Sequence, residues 1–520
     1  MDIAAALTIE ELPERFNAAV DLVDHNLAAG RGDKVAVIDH RTTTTYAELA
    51  ERIDRMAGAF GAMGVAREQR VLLCLLDTVD FPTVFLGAIK AGVVPVPLNT
   101  LLVPEDYAWI LDNSGAVAVF VSDKLAHHWK AIATARPDVR FISSGGGDWP
   151  SIESLLATAE PRREAANTHR DEVAFWLYTS GSTGRPKGAM HTHASLRLTA
   201  NLFGTAVVGY REDDVVLSVA KQFFAYGLGN ALTFPYAVGA TVVLHKDRAT
   251  PQSITDVMCR HGVSVLSGVP TFFAGWFASG SAPARADAPR LRIATSAGEC
   301  LPAHLGEEFH RRYDADIIDG LGSTEMLHIY LSQRPGEVRY GCTGRPVPGY
   351  ELRIVTDEGL VAGPGELGEL QVRGPTAAIG YWKNRPKTIA TFQGEWTRTG
   401  DSYVRDADGW YSYAGRRDDM LKVGGIYVSP IEVEEVIASH EAVVEAAVVG
   451  VPDGDGLIKP RAHVVLKPGF QPSDELEAAL KAHVKAHLAP YKYPRWIVFV
   501  EDLPKTATGK IQRFRLREPA

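Results

Sequence analysis

Ten consecutive residues, Thr179-Ser180-Gly181-Ser182-Thr183-Gly184-Arg185-Pro186-Lys187-Gly188, hold four hydroxyls, three glycines and a lysine directly behind the apolar run from Val173 to Tyr178. Glycine lets backbone N–H groups approach anionic oxygens closely, hydroxyls add donors, and a lysine supplies a point charge. The combination suits a polyphosphate cradle at the end of a strand. A Walker loop is excluded, because Pro186 stands where that motif needs a glycine before its lysine, and neither Ser nor Thr follows Lys187. The bland alternative is a Gly- and Ser-rich surface loop, but composition alone rarely joins all these elements at a strand end.

The loop resembles the signature of the adenylate-forming (ANL) superfamily, which includes acyl-CoA synthetases, nonribosomal adenylation domains and firefly luciferase. The resemblance extends over nearly the whole chain. It implies an enzyme that uses ATP and Mg²⁺ to activate a carboxylic acid as an acyl-AMP, with Thr179, Ser180, Gly181, Ser182, Thr183, Gly184 and Lys187 holding phosphates. Ser296-Ala297-Gly298-Glu299 resembles the adenine-side turn, and Asp319-Gly320-Leu321-Gly322-Ser323-Thr324-Glu325 resembles the second nucleotide segment. In that segment the resemblance assigns Thr324 to phosphate and Glu325 to the metal, and a hard cation bridging phosphates calls for such an oxygen ligand. Leu321 departs from the aromatic that many members place against adenine.

Three further segments follow in the family's order. Arg398-Thr399-Gly400-Asp401 resembles the ribose motif, in which Asp401 would accept from both ribose hydroxyls. Gly415-Arg416-Arg417-Asp418-Asp419-Met420-Leu421-Lys422 resembles the hinge, with Arg416 reaching the ribose and Asp418 as pivot. Pro504-Lys505-Thr506-Ala507-Thr508-Gly509-Lys510 resembles the catalytic loop, in which Lys510 would bridge the substrate carboxylate and the α-phosphate and offset their repulsion. Taken singly, an Asp after Gly is a turn residue, a charge run is a solvated face and a C-terminal lysine is inert. Their shared order carries the reading.

The elements that must position these groups are legible as rhythm. Runs such as Val71 to Leu76, Val117 to Val121, Val173 to Tyr178, Val263 to Leu266, Leu291 to Thr295 and Asp316 to Asp319 alternate with helix-like stretches. Lacking polar alternation, they suit parallel strands buried on both faces, whereas Tyr350 to Arg373 suits antiparallel hairpins. Past Tyr411 a compact α+β pattern begins, with strands at Val443 to Val451, Ala462 to Leu466 and Trp496 to Val500. Leu476, Leu480, Val484 and Leu488 form the apolar stripe of a helix capped by Ser473. The expected fold is α/β: a large N-terminal domain over residues 1–417, built of two α/β layered subdomains and a β-rich subdomain, and a small mobile α+β domain over 418–520.

Composition bounds the partners. The 520 residues suffice for two to four modules, and 46% hydrophobic with 22% charged residues is globular. A net charge of -9, from 54 basic and 63 acidic residues, argues against a nucleic-acid partner. The acidic start from Met1 to Phe16, with no apolar run of about 18 residues anywhere, argues against a membrane and for the cytoplasm. Cys74, Cys259, Cys300 and Cys342 are too dispersed for a metal pair or disulfide framework.

Two segments correspond to the family's acid pocket: Lys221 to Asn230, containing Phe224, Ala225, Tyr226 and Gly227, and Leu327-His328-Ile329. The first holds no acid to pair an α-ammonium group, which disfavours an amino-acid substrate. Rings with small neighbours suit a flat one-ring acid. The two segments most resemble those of benzoate-CoA ligases, which implies benzoate as the preferred acid and 4-hydroxybenzoate, aminobenzoate or fluorinated benzoates as secondary ones. Free coenzyme A is the expected thiol, because the chain ends soon after Lys510 and Lys422-Val423-Gly424-Gly425 resembles the pantetheine channel. Rival readings are an aryl-acid adenylating enzyme that loads a carrier protein, a silent binding module and a luciferase-like oxidase. A homodimer is compatible with the sequence, and the resemblance implies a regulatory lysine acetyltransferase acting on Lys510.

Overall fold

The computed structural model describes residues 5–179, 185–423, 426–453, 457–488, 492–505 and 511–517. The chain divides into two compact units, Met1–Leu352 with Val372–Thr397, and Arg353–Gln371 with Arg398–Ala520.

In the first unit the described residues form a nine-stranded sheet. Its order is Arg345–Pro346, Ile329–Ser332, Asp316–Gly322, Ile293–Ala297, Val265–Gly268, Val215–Ser218, Thr241–Val243, Val35–Ile38 and Thr43–Thr45. The strands from Asp316–Gly322 through Val35–Ile38 pair in parallel, and antiparallel neighbours close both ends. Helices Pro251–His261, Pro270–Ala278 and Ala303–Tyr313 cover this sheet through Met258, Phe273, Trp276, Phe309 and Tyr313, all buried in one cluster. The first of these helices starts on a Thr250 cap that accepts from the Ser253 N–H at 3.2 Å and stops at Gly262 with φ +61°.

A second, four-stranded parallel sheet runs Val94–Pro97, Arg70–Cys74, Ala118–Ser122 and Arg140–Ser144. Its core centres on Trp129 stacked on Tyr107 at 4.8 Å. The unbroken apolar runs at Val71, Val117, Val263, Leu291 and Asp316 are therefore parallel strands, as their lack of polar alternation implies.

The strand Val173–Thr179 differs. It pairs antiparallel with Lys187–Thr192, and that strand pairs antiparallel with Gly380–Tyr381. The run is apolar on both sides because Trp176 packs into the core of the four-stranded sheet while Phe175 and Leu177, on the alternate face, are also buried. An apolar run reports burial on two faces and leaves strand direction open.

In the second unit, strands Val443–Pro452 and Ile458–Leu466 pair antiparallel, and Trp496–Phe499 joins the latter in parallel. The helix Asp474–His487 begins at Ser473, whose hydroxyl accepts from the Leu476 N–H at 3.1 Å. Its Leu480 and Val484 are buried with Val433, Ile437, Val448, Ala462 and Val464. Glu434 is buried here, and both its oxygens are held by Arg513 while one also accepts from the Val448 N–H. Among the described residues no helix is long and apolar enough to cross a membrane, and no disulfide joins any of the four cysteines.

Leu480 is fully enclosed, so Leu480→Ala is expected to destabilise the second unit by about 2–5 kcal/mol through the cavity it leaves. Faster amide exchange across Val443–Pro452, Ile458–Leu466 and Asp474–His487, with exchange in the nine-stranded sheet unchanged, is the expected outcome; unaltered exchange in those three elements would contradict it.

Candidate active site

Two parallel strands of the nine-stranded sheet, Ile293–Ala297 and Asp316–Gly322, pair Ser296 with Asp319 and Ala297 with Gly320. The segments singled out in the sequence, Ala297-Gly298-Glu299 and Asp319 to Glu325, thus leave the same edge, at strand C-termini, where open α/β sheets receive ligands. Gly298 turns the first at φ +93°, and Glu299 accepts from the Thr271 hydroxyl at 2.8 Å. Asp319 is buried, and its Oδ1 has no hydrogen-bond partner among the described residues. Burial, opposed by the backbone N–H groups of Leu301 and Gly320, pushes its carboxyl up to about 7.

Beyond Leu321 the chain must fold back at once, because Ile329–Ser332 returns antiparallel against Gly320, Leu321 and Gly322. A Cβ at Gly320 would lie 2.8 Å from Ile329 Cγ2, and one at Gly322 would lie 2.6 Å from the His328 carbonyl oxygen, so both positions need glycine. The connecting turn, Thr324–Met326, is held by its carbonyls. Thr324 O accepts from His191 Nε2 at 2.7 Å, Glu325 O from the Ala378 N–H at 2.7 Å, and Met326 O from the Thr376 hydroxyl at 2.8 Å. Thr376 in turn shares a 2.7 Å bond with the Tyr350 hydroxyl. Leu327 ends the turn at φ +66°, a left-handed conformation that strains a leucine.

The Glu325 carboxylate accepts from the Tyr381 hydroxyl at 2.6 Å, and Lys187 Nζ sits 5.2 Å above the Tyr381 ring. Lys187, which pairs with Thr179 at the loop end of the hairpin, is thereby linked through the Tyr381 ring to Glu325. Among the described residues no group of three or more His, Cys, Asp or Glu is arranged to hold a metal ion. Glu325 as a metal ligand fits only a cation that takes its other oxygens from phosphate and water, which is the habit of magnesium.

The second pair of segments builds an aromatic wall. Phe224 precedes the short helix Ala225–Leu228, with its ring 4.4 Å from that of Phe223. Leu327, His328 and Ile329 are all buried. The His328 ring lies 4.5 Å from Phe234, 5.2 Å from Phe203 and 5.6 Å from Tyr226. Its Nε2 donates to the Tyr226 carbonyl at 3.4 Å, and burial depresses the imidazole to about 3. Gly229 is required there, since a Cβ would overlap the His328 ring, and a Cβ at Gly227 would overlap the Lys221 carbonyl. The Tyr226 hydroxyl bonds Thr295 Oγ1 at 2.6 Å, and Thr295 donates to Ser267 Oγ at 2.9 Å. Asn230 donates to the Tyr226 carbonyl at 2.9 Å and accepts from the Tyr210 hydroxyl at 2.9 Å.

Sequence reading missed His191, Tyr381, Thr295, Ser267, Phe203 and Phe234. His191 carried a signal, since it is four residues past Lys187 on one strand face; the others did not.

In the second unit, Asp401 and Arg416 are register partners on adjacent strands, joined by Arg416 Nη1 to Asp401 Oδ1 at 2.9 Å. Gly400 at φ +73° lets the chain turn there, where a Cβ would meet the Arg416 guanidinium at 3.1 Å. Asp401 N–H donates to Thr399 Oγ1 at 3.0 Å. Ser180, Gly181, Ser182, Thr183, Gly184, Gly424, Gly425 and Lys510 lie outside the described residues, as does the side chain of Asp418.

Comparison with known proteins adds the family. The model of the AMP-binding enzymes matches residues 24–382, and that of the AMP-binding enzyme C-terminal domain matches 432–510. The chain is 53% identical to a benzoate–CoA ligase of Thauera aromatica, over 98% of this chain and 97% of that one. It is 47% identical to a 4-hydroxybenzoate–CoA/benzoate–CoA ligase of Rhodopseudomonas palustris, over 97% and 94%. The crystal structure of a benzoate CoA ligase from Burkholderia xenovorans LB400 superposes with a TM-score of 0.91 at 52% identity, covering 97% of this chain and all of that one.

The lowered His328 value has a definite sign. The folded state binds fewer protons here than the unfolded state below pH of about 6.5, so this residue removes stability as pH falls from there toward about 3. Histidine-selective NMR is expected to show His328 neutral and unchanged between pH 5 and pH 8. A titration of that ring within the interval would contradict the enclosed geometry.

Proposed function

The chain belongs to the AMP-binding enzyme family, and on that premise we propose that it is a benzoate-CoA ligase, joining benzoate to coenzyme A through benzoyl-AMP with release of pyrophosphate and AMP. The observation that carries the substrate is the wall of Phe203, Tyr226, Phe234 and a neutral, buried His328, together with a segment from Lys221 to Asn230 that holds no acid. A flat apolar ring is compatible with such a wall, whereas an ammonium group would find no counter-charge in that segment. The Rhodopseudomonas palustris relative is named for 4-hydroxybenzoate as well as benzoate, which supports ring-hydroxylated acids as secondary substrates.

In the first half-reaction a benzoate oxygen attacks the α-phosphorus of ATP, and the bond to the bridging oxygen of pyrophosphate breaks. Thr179 to Gly184, Lys187 and Thr324 take the phosphates, and the Ala297-Gly298-Glu299 turn with Asp319, Gly320, Leu321 and Gly322 takes the adenine side. The unpartnered, buried Asp319 Oδ1 suits an amino donor. Asp401 and Arg416 take the ribose. Glu325 is the protein ligand of Mg²⁺, which when bound neutralises charge on the departing phosphate oxygens. Lys510 bridges the carboxylate and the α-phosphate.

In the second half-reaction the thiolate of coenzyme A attacks the acyl carbon and AMP leaves. Gly424 and Gly425 make room for pantetheine, and a domain over 418–520 turns on Asp418 against a domain over 1–417 to exchange the two sets of residues. A homodimer, a cytoplasmic location and acetylation of Lys510 complete the reading; acetylation would remove the bridging charge.

A panel of acids assayed for CoA-dependent AMP release is expected to rank benzoate first, 4-hydroxybenzoate behind it and hexanoate last; hexanoate ahead of benzoate would overturn the substrate. Lys510→Ala is expected to abolish benzoyl-AMP formation while sparing thioester formation from supplied benzoyl-AMP. Equal loss in both half-reactions would refute the bridging role.

A further inference from the structure

We propose that His191 is a positioning residue for adenylation, whose hydrogen bond to the Thr324 carbonyl ties the turn bearing Thr324 and Glu325 to the sheet that bears Lys187. The inference rests on the benzoate-CoA ligase reading and extends it to a residue outside the recognised motifs.

Strand periodicity places the relevant groups on one face. Lys187, Ala189 and His191 alternate along Lys187–Thr192, and their register partners are Thr179, Leu177 and Phe175. On the other side Tyr381 pairs with Ala189, so its side chain shares that face. One face of three short strands thus supplies Lys187 beside the phosphate loop, Tyr381 to the Glu325 carboxylate, and His191 to the Thr324 carbonyl. His191 is fully buried, with its ring stacked on Phe175 at 5.3 Å and 23°, so its orientation is set by packing.

The chemistry of the bond is unambiguous in direction. A carbonyl oxygen only accepts, so Nε2 carries the proton and the 2.7 Å contact requires that tautomer. Burial keeps the ring neutral, depressing it to about 4, and Nδ1 has no hydrogen-bond partner among the described residues. Tyr381 takes one Glu325 oxygen, and the Thr324 hydroxyl and the other Glu325 oxygen have to remain available to phosphate and metal, so the rest of the hold on the turn comes through its carbonyl oxygens. Removing the His191 donor would leave the Thr324 carbonyl only the local Leu327 N–H at 3.2 Å, a contact within the turn itself, so nothing would tie that carbonyl to the sheet bearing Lys187 and the turn would be free to shift. A displacement of about 1 Å in groups that contact a transition state can lower rate on the order of a hundredfold.

Two variants separate the donor from the ring. His191→Phe keeps the stack on Phe175 and cannot donate, whereas His191→Gln loses the stack but carries an amide N–H at a similar reach. The assays are benzoate-dependent exchange of labelled pyrophosphate into ATP, titrated with Mg²⁺ and with benzoate, and thioester formation from supplied benzoyl-AMP and CoA. The expected result for the Phe variant is an exchange turnover at least tenfold down and a raised Mg²⁺ requirement. Its KM for benzoate should stay within about threefold and thioester formation near wild type, with the Gln variant recovering most of the exchange.

Wild-type exchange in the Phe variant, or equal loss in both half-reactions without recovery by Gln, would overturn the proposal. Should the Phe variant not fold, the Gln variant decides: near-normal exchange supports the donor role, and a tenfold loss refutes it. A wild-type enzyme silent in exchange would overturn the activity reading and this inference together, whereas an active wild type with an unimpaired Phe variant overturns this inference alone.

Discussion

The turn Thr324–Met326 is fixed mainly by its backbone carbonyls, which leaves its side chains with few bonds of their own, and this arrangement shapes the centre of the first unit. Thr324, Glu325 and Met326 each give up a carbonyl oxygen to a separate donor, from His191, Ala378 and Thr376. Each such bond is worth about 1 kcal/mol net, but leaving a buried carbonyl unpaired costs more than making the bond gains. The three donors come from two stretches distant in sequence, so the turn has one placement in which all are satisfied. Leu327 at φ +66° is the strain this placement imposes, and the surrounding bonds keep it there.

The same logic of satisfied burial explains the aromatic wall. A histidine enclosed by Phe203, Phe234 and Tyr226 loses its charge, because the imidazolium would be stripped of water without a counter-ion. Neutral, it can sit against a ring without electrostatic preference for an ammonium or a second carboxylate. Tyr226 is in turn fixed at both ends, by Thr295 at its hydroxyl and by Asn230 at its carbonyl. The wall therefore presents a set shape.

What could be read from sequence was local, and what could not was remote. The hydroxyl- and glycine-rich loop, the Ser473 cap with the Leu480 and Val484 stripe, and the apolar parallel strands each announce themselves within a few residues. The antiparallel direction of Val173–Thr179 was hidden, since its residues record only that both faces are buried. His191 and Tyr381 were invisible as partners of the turn because the bonds they make span 133 and 56 residues. Nothing in a single histidine or tyrosine says which distant carbonyl or carboxylate it will meet. His328 is enclosed by Phe203, Phe234 and Tyr226 and bonded to the Tyr226 carbonyl, contacts that the short run Leu327-His328-Ile329 does not announce.

Held by three carbonyl bonds, the Thr324–Glu325 turn should already be in its working position before any ligand arrives. A crystal structure with a non-hydrolysable benzoyl-AMP analogue tests it most directly. The account predicts that the bonds from His191 to Thr324 O, from Ala378 to Glu325 O and from Thr376 to Met326 O all persist at about 2.7–3.2 Å, with the aryl ring against Tyr226 and His328. A turn that has moved and exchanged these donors for others would contradict it.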